Sequence, residues 1–176
     1  MPASMPDLSA LSQADLASAV LVLGWLALLR WLRHSMYLLA LLSFCATVLH
    51  EACHWLVGLL LHARPVALAL WPRRQGQRWI MGAVSFRNLH LGNAAFVALA
   101  PLALFPLGWL LARHWLLPAY AAGHYASWSV AGYVVACCLY GGLPSAVDVR
   151  AGALSAALYA LAGVGLWRLA LYAGLL

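Results

Sequence analysis

The sequence predicts an all-α integral membrane protein: a bundle of about five transmembrane helices with a β-hairpin-like insertion after the second. Of its 176 residues, 66% are hydrophobic and only 8% are charged. A soluble domain carries charge on about a quarter of its residues, so most of this surface cannot face water. We expect a polar N-terminal segment, 1–16, and one membrane-embedded domain, 17–176, whose surroundings are the lipid bilayer.

Five apolar segments are the candidate spans, since crossing a bilayer takes about 20 mostly apolar residues. In chain order they are 17–32, 37–61, 92–111, 127–143 and 151–171. The first is short for the task, and the third contains Pro101 and Pro106. A secretory signal begins with a basic region, which this N-terminus lacks, so we expect the first span to be retained.

The segment between the second and third spans has a different pattern. Val66, Leu68 and Leu70 alternate with alanines, a polar break follows at 72–78, and a strand-like pattern resumes at 79–86. Such alternation around a break containing Pro and Gly predicts a β-hairpin. The alternative is an irregular surface loop.

The net charge of +6 comes from arginine alone, because the chain contains no lysine. The arginines are densest in and beside the predicted hairpin, at Arg64, Arg73, Arg74, Arg78 and Arg87. Basic loops tend to stay in the cytosol, so we expect the hairpin and the N-terminus there and the C-terminus outside. No basic cluster is interleaved with aromatic residues, and we therefore exclude nucleic acid as a partner.

Acidic residues are the most informative feature, because only two of the four, Glu51 and Asp148, lie in the apolar region. Glu51 is deep in the second predicted span, where an ionised carboxylate costs several kcal/mol unless it is paired or bound to a metal. A residue kept at such a cost is a candidate functional residue. The alternative is a protonated glutamate that is hydrogen-bonded inside the bundle.

Two histidines flank this glutamate. His50 and His54 are four residues apart, so they share one helix face and two neutral imidazoles can bind one ion. Glu51 lies on a neighbouring face, close enough to take a proton from the attacking water without being a ligand. This division of roles underlies the H-E-x-x-H pattern of zinc hydrolases, and it predicts a zinc site here.

A catalytic zinc ion of this type needs a third protein ligand, for which Asp148 is the leading candidate. It follows the helix-breaking residues 141–144, and broken helices at membrane depth are tolerated where they line a cavity. His90 or His124 could replace it. A further alternative is a surface Asp148 that pairs with Arg150 or caps the fifth helix.

The sequence predicts different membrane depths for His50 and Asp148. His50 lies about 20 Å along a helix that starts at residue 37, well inside a membrane. Asp148 lies in a loop between two spans. Both can bind one ion only if that loop dips inward or if the second span is tilted or displaced.

These motifs together resemble those of the site-2 protease family of intramembrane zinc metalloproteases. Residues 47–55, Thr-Val-Leu-His-Glu-Ala-Cys-His-Trp, are similar to the family's zinc motif, and a hairpin-like segment follows it as in that family. Leu-Ala-Pro-Leu at 99–102 resembles the family's small-Pro-Leu element, and Pro-Ser-Ala-Val-Asp at 144–148 resembles the motif whose Asp is the third ligand. Ala100 and Val149 stand where the family often has Gly, and we expect a compact member without a PDZ domain.

The resemblance implies a metalloprotease that hydrolyses peptide bonds in or near transmembrane segments of membrane proteins. Zn²⁺ would be held by His50, His54 and Asp148, with Glu51 as the catalytic base. A strand of the hairpin would hold the unwound substrate segment. The sequence does not identify the group that stabilises the oxyanion; Asn93 and His124 are the candidates it offers. The expected location is multi-pass in a membrane, taken to be a bacterial cytoplasmic membrane.

Two other functions are compatible with the same residues. One is a non-proteolytic membrane protein whose zinc site serves structure or metal handling, which would need the histidines but not Glu51. The other is a structural partner subunit with a hydrogen-bonded polar cluster and no metal. Metal content and a Glu51→Gln variant distinguish the three.

Overall fold

The computed structural model describes residues 12–31, 41–70, 73–75, 78–80 and 82–174. Within these residues there are five helices of at least 17 residues: α1 Gln13–Trp31, α2 Phe44–Leu60, α3 Ala94–Ala121, α4 Tyr125–Gly141 and α5 Ala146–Tyr172. Four short strands lie between α2 and α3: β1 Pro65–Ala69, β2 Arg73–Gln75, β3 Arg78–Ile80 and β4 Ala83–Phe86. The predicted mainly helical fold with an inserted hairpin is therefore confirmed.

Three of the helices, α1, α3 and α5, are long and apolar enough to cross a membrane. α2 and α4 have 17 residues each, at the lower end of the length that can span a bilayer. α1 begins at Gln13, inside the predicted polar segment, and α3 continues to Ala121 rather than ending at 111. The predicted start of the second span, residues 37–40, lies outside the described residues.

α3 is continuous but irregular. Pro101 cannot donate the hydrogen bond that an α-helix needs at its position, and the chain forms a 3-10 turn over Ala100–Ala103. A π-helical turn follows at Ala112–Leu116. The buried residues in the first turns of α3 are alanines and a valine, so other elements can approach closely there.

The hairpin consists of two antiparallel strand pairs. The pair β2–β3 lies between β1 and β4 in the chain. β1 pairs antiparallel with β4, with Leu68 opposite Val84, and β2 pairs antiparallel with β3, with Arg74 opposite Trp79. At the base of the hairpin, the backbone N–H of Arg87 donates to the carbonyl oxygen of Arg64, the residue that precedes β1. This base follows directly from the end of α2, so the hairpin lies beside the helix that contains the histidines.

A buried apolar cluster joins three of the helices. Val22 of α1, Leu116 of α3, and Ala131, Val135 and Ala136 of α4 form one buried cluster. α4 therefore lies against both α1 and α3 and contacts α2 with its C-terminal part. The C-terminal end of α4 meets the N-terminal end of α5 near residues 141–146. Both ends are consequently held beside α2.

Candidate metal centre

The centre is built on the middle of α2. His50 and His54, one helical turn apart, bring their Nε2 atoms to 3.1 Å of each other, with the rings nearly perpendicular at 81°. Glu51 is 7% exposed and His54 is 4% exposed. Three polar side chains are thus concentrated on one turn of an apolar helix.

Both imidazoles are oriented by backbone carbonyl groups. His50 Nδ1 lies 2.7 Å from the carbonyl oxygen of Gly141, and His54 Nδ1 lies 2.7 Å from that of Val97. A carbonyl oxygen can only accept, so each Nδ1 is the donor and each neutral imidazole has its lone pair on Nε2. Metal-binding histidines are typically fixed in this way by a hydrogen bond from the other ring nitrogen.

Asp148, in the first turn of α5, completes the group. Its Oδ2 lies 3.3 Å from His50 Nε2, and its Oδ1 lies 3.2 Å from His54 Nε2. The sequence left open whether Asp148 could reach the depth of the histidines, and the structure brings the three together. That they bind a metal ion stays a prediction.

The close approach of α4 to α2 explains how Asp148 reaches the histidines. A Cβ atom added to Gly141 would lie only 2.8 Å from the carbonyl oxygen of Ala46, one turn before His50. Because glycine has no Cβ, the end of α4 can rest directly on the α2 backbone. α5 begins five residues after Gly141, so its first turn also lies beside this part of α2.

The suggestion that Asp148 caps the fifth helix is also correct. The backbone N–H of Ser145 donates to Asp148 Oδ2 at 2.7 Å, and the Ser145 hydroxyl accepts from the backbone N–H of Asp148 at 3.2 Å. This reciprocal pair is a capping box, which stabilises the first turn of a helix. It also fixes the carboxylate while leaving Oδ1 directed at His54, so capping and metal binding are compatible.

The spacing of these atoms fits a metal ion. The ligand atoms of His50, His54 and Asp148 all lie within 4.8 Å of one another, so the group could hold a metal ion. Tetrahedral zinc with bonds of about 2.0–2.1 Å separates its ligand atoms by about 3.3 Å, close to the distances found here. Two imidazole lone pairs and a carboxylate also repel one another unless protons or a cation lie among them. One divalent cation would satisfy all three atoms at once.

A cavity of about 570 Å³ opens onto this group. It is bounded by α2, the hairpin, the start of α3, the end of α4 and the start of α5. Glu51 lines it beside the histidines, and Gly82 of the hairpin lies so close that an added Cβ would be 2.5 Å from Glu51 Oε1. Most other lining side chains are apolar.

The alternative third ligands are not part of this group. Among the described residues, only His50, His54 and Asp148 converge in the manner of a metal site. His90 Nδ1 instead accepts a hydrogen bond from the backbone of Gly92. His124 precedes α4, about 25 Å along that helix from Gly141.

Asn93 is also unsuited to the oxyanion role suggested by the sequence. It is only 3% exposed, and its amide is occupied by backbone groups. The side-chain oxygen accepts from His90 N at 2.9 Å, and the side-chain nitrogen donates to Asn88 O at 3.0 Å. Asn93 therefore fixes the turn that leads into α3.

Sequence reasoning missed three residues that shape the cavity: Gly82, Tyr140 and Ser145. Ser145 had a usable signal, because Ser-x-x-Asp before an apolar helix is a capping pattern. Gly82 and Tyr140 had none, since a glycine in a hairpin and a tyrosine near a span end are both ordinary.

Comparison of the chain with protein-family models, with curated proteins and with solved structures finds no match.

Proposed function

We propose that this chain is an intramembrane zinc metalloprotease of the site-2 protease type, acting on peptide bonds in or near transmembrane segments. One observation carries the proposal: His50, His54 and Asp148 converge on a single point, with the buried Glu51 beside them in the same cavity. A structural metal site explains the three ligands. It does not explain why an ionisable carboxyl group is kept buried beside them, where its ionised form costs several kcal/mol unless it is paired or bound to a metal.

Zinc is the metal that this donor set favours. Two imidazole nitrogens and one carboxylate oxygen form the His₂-carboxylate set found in catalytic zinc sites, and such sites keep a fourth position open. Bound there, zinc would lower the pKa of a water molecule to near 7 and polarise the scissile carbonyl group. His50 and His54 are already in the required tautomer, so binding needs no rearrangement of their hydrogen bonds.

Glu51 is the proposed general base. It accepts a proton as the water oxygen attacks the carbonyl carbon, and the carbonyl π electrons move to the oxygen. It then delivers this proton to the amide nitrogen as the C–N bond breaks, which releases an amine and a carboxylic acid. Burial beside the histidines keeps this carboxylate away from bulk water, so its proton is transferred within the cavity.

Insertion into a membrane is supported by the apolar exterior. α1, α3 and α5 are long and apolar enough to cross a bilayer, and large side chains of α5 such as Leu161 and Leu166 are about 70% exposed. Exposed apolar side chains in this number are typical of a surface that contacts a membrane. We place α2 and α4 in the membrane as well, which gives five spans.

The substrate is proposed to be a membrane-protein segment in extended form. An intact helix uses its carbonyl groups in its own hydrogen bonds, so the segment must unwind locally before cleavage. β4 forms one wall of the cavity through Ala83, Val84 and Phe86 and pairs with β1 on one edge. Its other edge is suited to pair with an extended segment.

Co-expression with a single-span substrate tests the proposal. Glu51→Gln should lower cleavage by about 10²–10⁴-fold while leaving zinc content at about one ion per chain, because Glu51 is not a ligand. Asp15→Asn is the matched control, since Asp15 lies on α1 and does not line the cavity. Cleavage by Glu51→Gln at the wild-type rate would refute the mechanism. Zinc binding without any cleavage by the wild type would favour the metal-handling alternative.

A further inference from the structure

Peptide hydrolysis places negative charge on the former carbonyl oxygen, and a hydrogen-bond donor beside that atom is the usual means of stabilising it. Seven polar side chains line the cavity: Thr47, His50, Glu51, His54, Tyr140, Ser145 and Asp148. We propose that the hydroxyl group of Tyr140 is this donor, which makes Tyr140 a further catalytic residue. This inference rests on the proposed function.

Most of the other polar side chains in the cavity either already donate to another group or can only accept a hydrogen bond. The histidine Nδ1–H groups donate to backbone carbonyls, and their Nε2 atoms face Asp148. Glu51 and Asp148 are acceptors when ionised. Among these seven side chains, only the hydroxyl groups remain as donors.

The three hydroxyls differ in their surroundings. The Ser145 oxygen accepts from the backbone of Asp148 and so is held against the first turn of α5. Thr47 turns its methyl group toward Gly82, 2.8 Å from where a Cβ would lie. The hydroxyl of a helical threonine usually bonds the carbonyl one turn earlier. Tyr140, in contrast, makes no hydrogen bond through its hydroxyl to any other residue that the structure describes.

The position of Tyr140 on α4 puts it in the lining of the cavity that holds the metal centre. Tyr133, Cys137 and Tyr140 are spaced as i, i+4 and i+7, so they share one face of the helix. Tyr133 on this face donates to the carbonyl oxygen of Leu42 at 2.7 Å, and Cys137 is fully buried. This face therefore looks toward the chain that leads into α2. Tyr140 is the last member of the row and precedes Gly141, whose carbonyl orients His50.

The exposure of Tyr140 suits a group that meets substrate. It is 36% exposed and lines the cavity, so part of the residue is accessible while the rest is packed. A phenol on a packed ring is a preorganised donor, because few rotamers remain to be fixed when substrate binds. It donates a hydrogen bond to the oxyanion without giving up its proton.

Tyr140→Phe tests the inference, since it removes only the hydroxyl. Loss of one oxyanion donor should lower kcat by about 10²–10³-fold with little change in KM. A phosphinic peptide, whose tetrahedral anionic centre mimics the oxyanion, should bind the zinc-loaded variant about 10–100-fold more weakly. A hydroxamate, which binds zinc without a tetrahedral centre, and zinc itself should bind as they do to the wild type.

Tyr159→Phe is the matched control, because that hydroxyl donates to the backbone of Gly92 outside the cavity lining. If Tyr140→Phe matches the wild type within about twofold in kcat and in phosphinic peptide affinity, Tyr140 is not the donor. If Tyr140→Phe weakens zinc and hydroxamate as much as the phosphinic peptide, its role is structural and the inference fails. The phosphinic peptide comparison also decides the matter if the wild type cleaves nothing, an outcome that would refute the protease function separately.

Discussion

Replacing Asp148 by Asn separates the two roles of this carboxylate, capping α5 and facing the histidines. Asparagine can still accept the backbone N–H of Ser145, which Asp148 Oδ2 now accepts at 2.7 Å. Its amide nitrogen can then donate to the lone pair on His54 Nε2, now 3.2 Å from Oδ1. The variant therefore keeps the cap and its packing but loses the carboxylate that is proposed to be the anionic ligand.

The expected magnitudes differ for the two roles. Losing the charge near the start of a helix costs about 0.3–1 kcal/mol, so the metal-free proteins should be nearly equal in stability. Removing a group that merely orients a ligand weakens metal binding about 10–100-fold, and removing a ligand should do more. At free zinc a thousandfold above Kd, binding stabilises the fold by about 4 kcal/mol, whereas a hundredfold weaker site retains about 1.4 kcal/mol. Asp148→Asn should therefore lose at least about 2.7 kcal/mol of zinc-dependent stability.

Thermal unfolding in detergent, with zinc and with a chelator, measures this difference. For a chain of this size, about 2.7 kcal/mol corresponds to a Tm shift of roughly 5–10 °C. Asp15→Asn is a close control, because Asp15 makes the same reciprocal pair with Ser12 at the start of α1. A zinc-dependent Tm shift of wild-type size in Asp148→Asn would show that Asp148 only caps the helix.

Two glycine substitutions test the geometry around the centre. Gly82→Ala would place a methyl group 2.5 Å from Glu51 Oε1, so we expect about 1–3 kcal/mol of destabilisation and up to about 10²-fold lower cleavage with zinc retained. Gly24→Ala is the control, because a Cβ there would meet nothing within 4 Å; it should leave cleavage unchanged and stability unchanged or slightly higher. Equal effects of Gly82→Ala and Gly24→Ala would contradict the proposed contact between Gly82 and Glu51. Gly141→Ala would press on the Ala46 backbone at 2.8 Å and move the carbonyl that orients His50, so zinc affinity should fall about 10–100-fold in a chelator competition assay. Unchanged affinity would refute that orienting role.

Local patterns made part of this centre visible in the sequence. His50 and His54 share a face because of helical periodicity alone, and Glu51 is conspicuous because acids are scarce in the apolar region. Asp148 could be proposed as a ligand because it is the other acid in the apolar region. Its depth could not be predicted, because it depends on a contact between Gly141 and Ala46, which are far apart in the chain.

The fold shows the same division between local and non-local information. The alternation around Val66 and Leu68 predicted the hairpin correctly, since strand pairing there follows a period of two. The end of α3 was placed too early because Arg113 and His114 interrupt the apolar run, although both are exposed and do not stop the helix. Tyr140 could not be singled out, because a tyrosine near a span end is the ordinary interfacial residue.

Glu51-dependent hydrolysis is the central claim, and isotope incorporation tests it most directly. Purified, zinc-loaded protein in liposomes is incubated with a single-span substrate in water enriched in heavy oxygen, and the fragments are analysed by mass spectrometry. We expect heavy oxygen in the new C-terminal carboxyl group for the wild type, and at least about a hundredfold less fragment for zinc-loaded Glu51→Gln. Equal amounts of labelled fragment from both proteins would contradict the account.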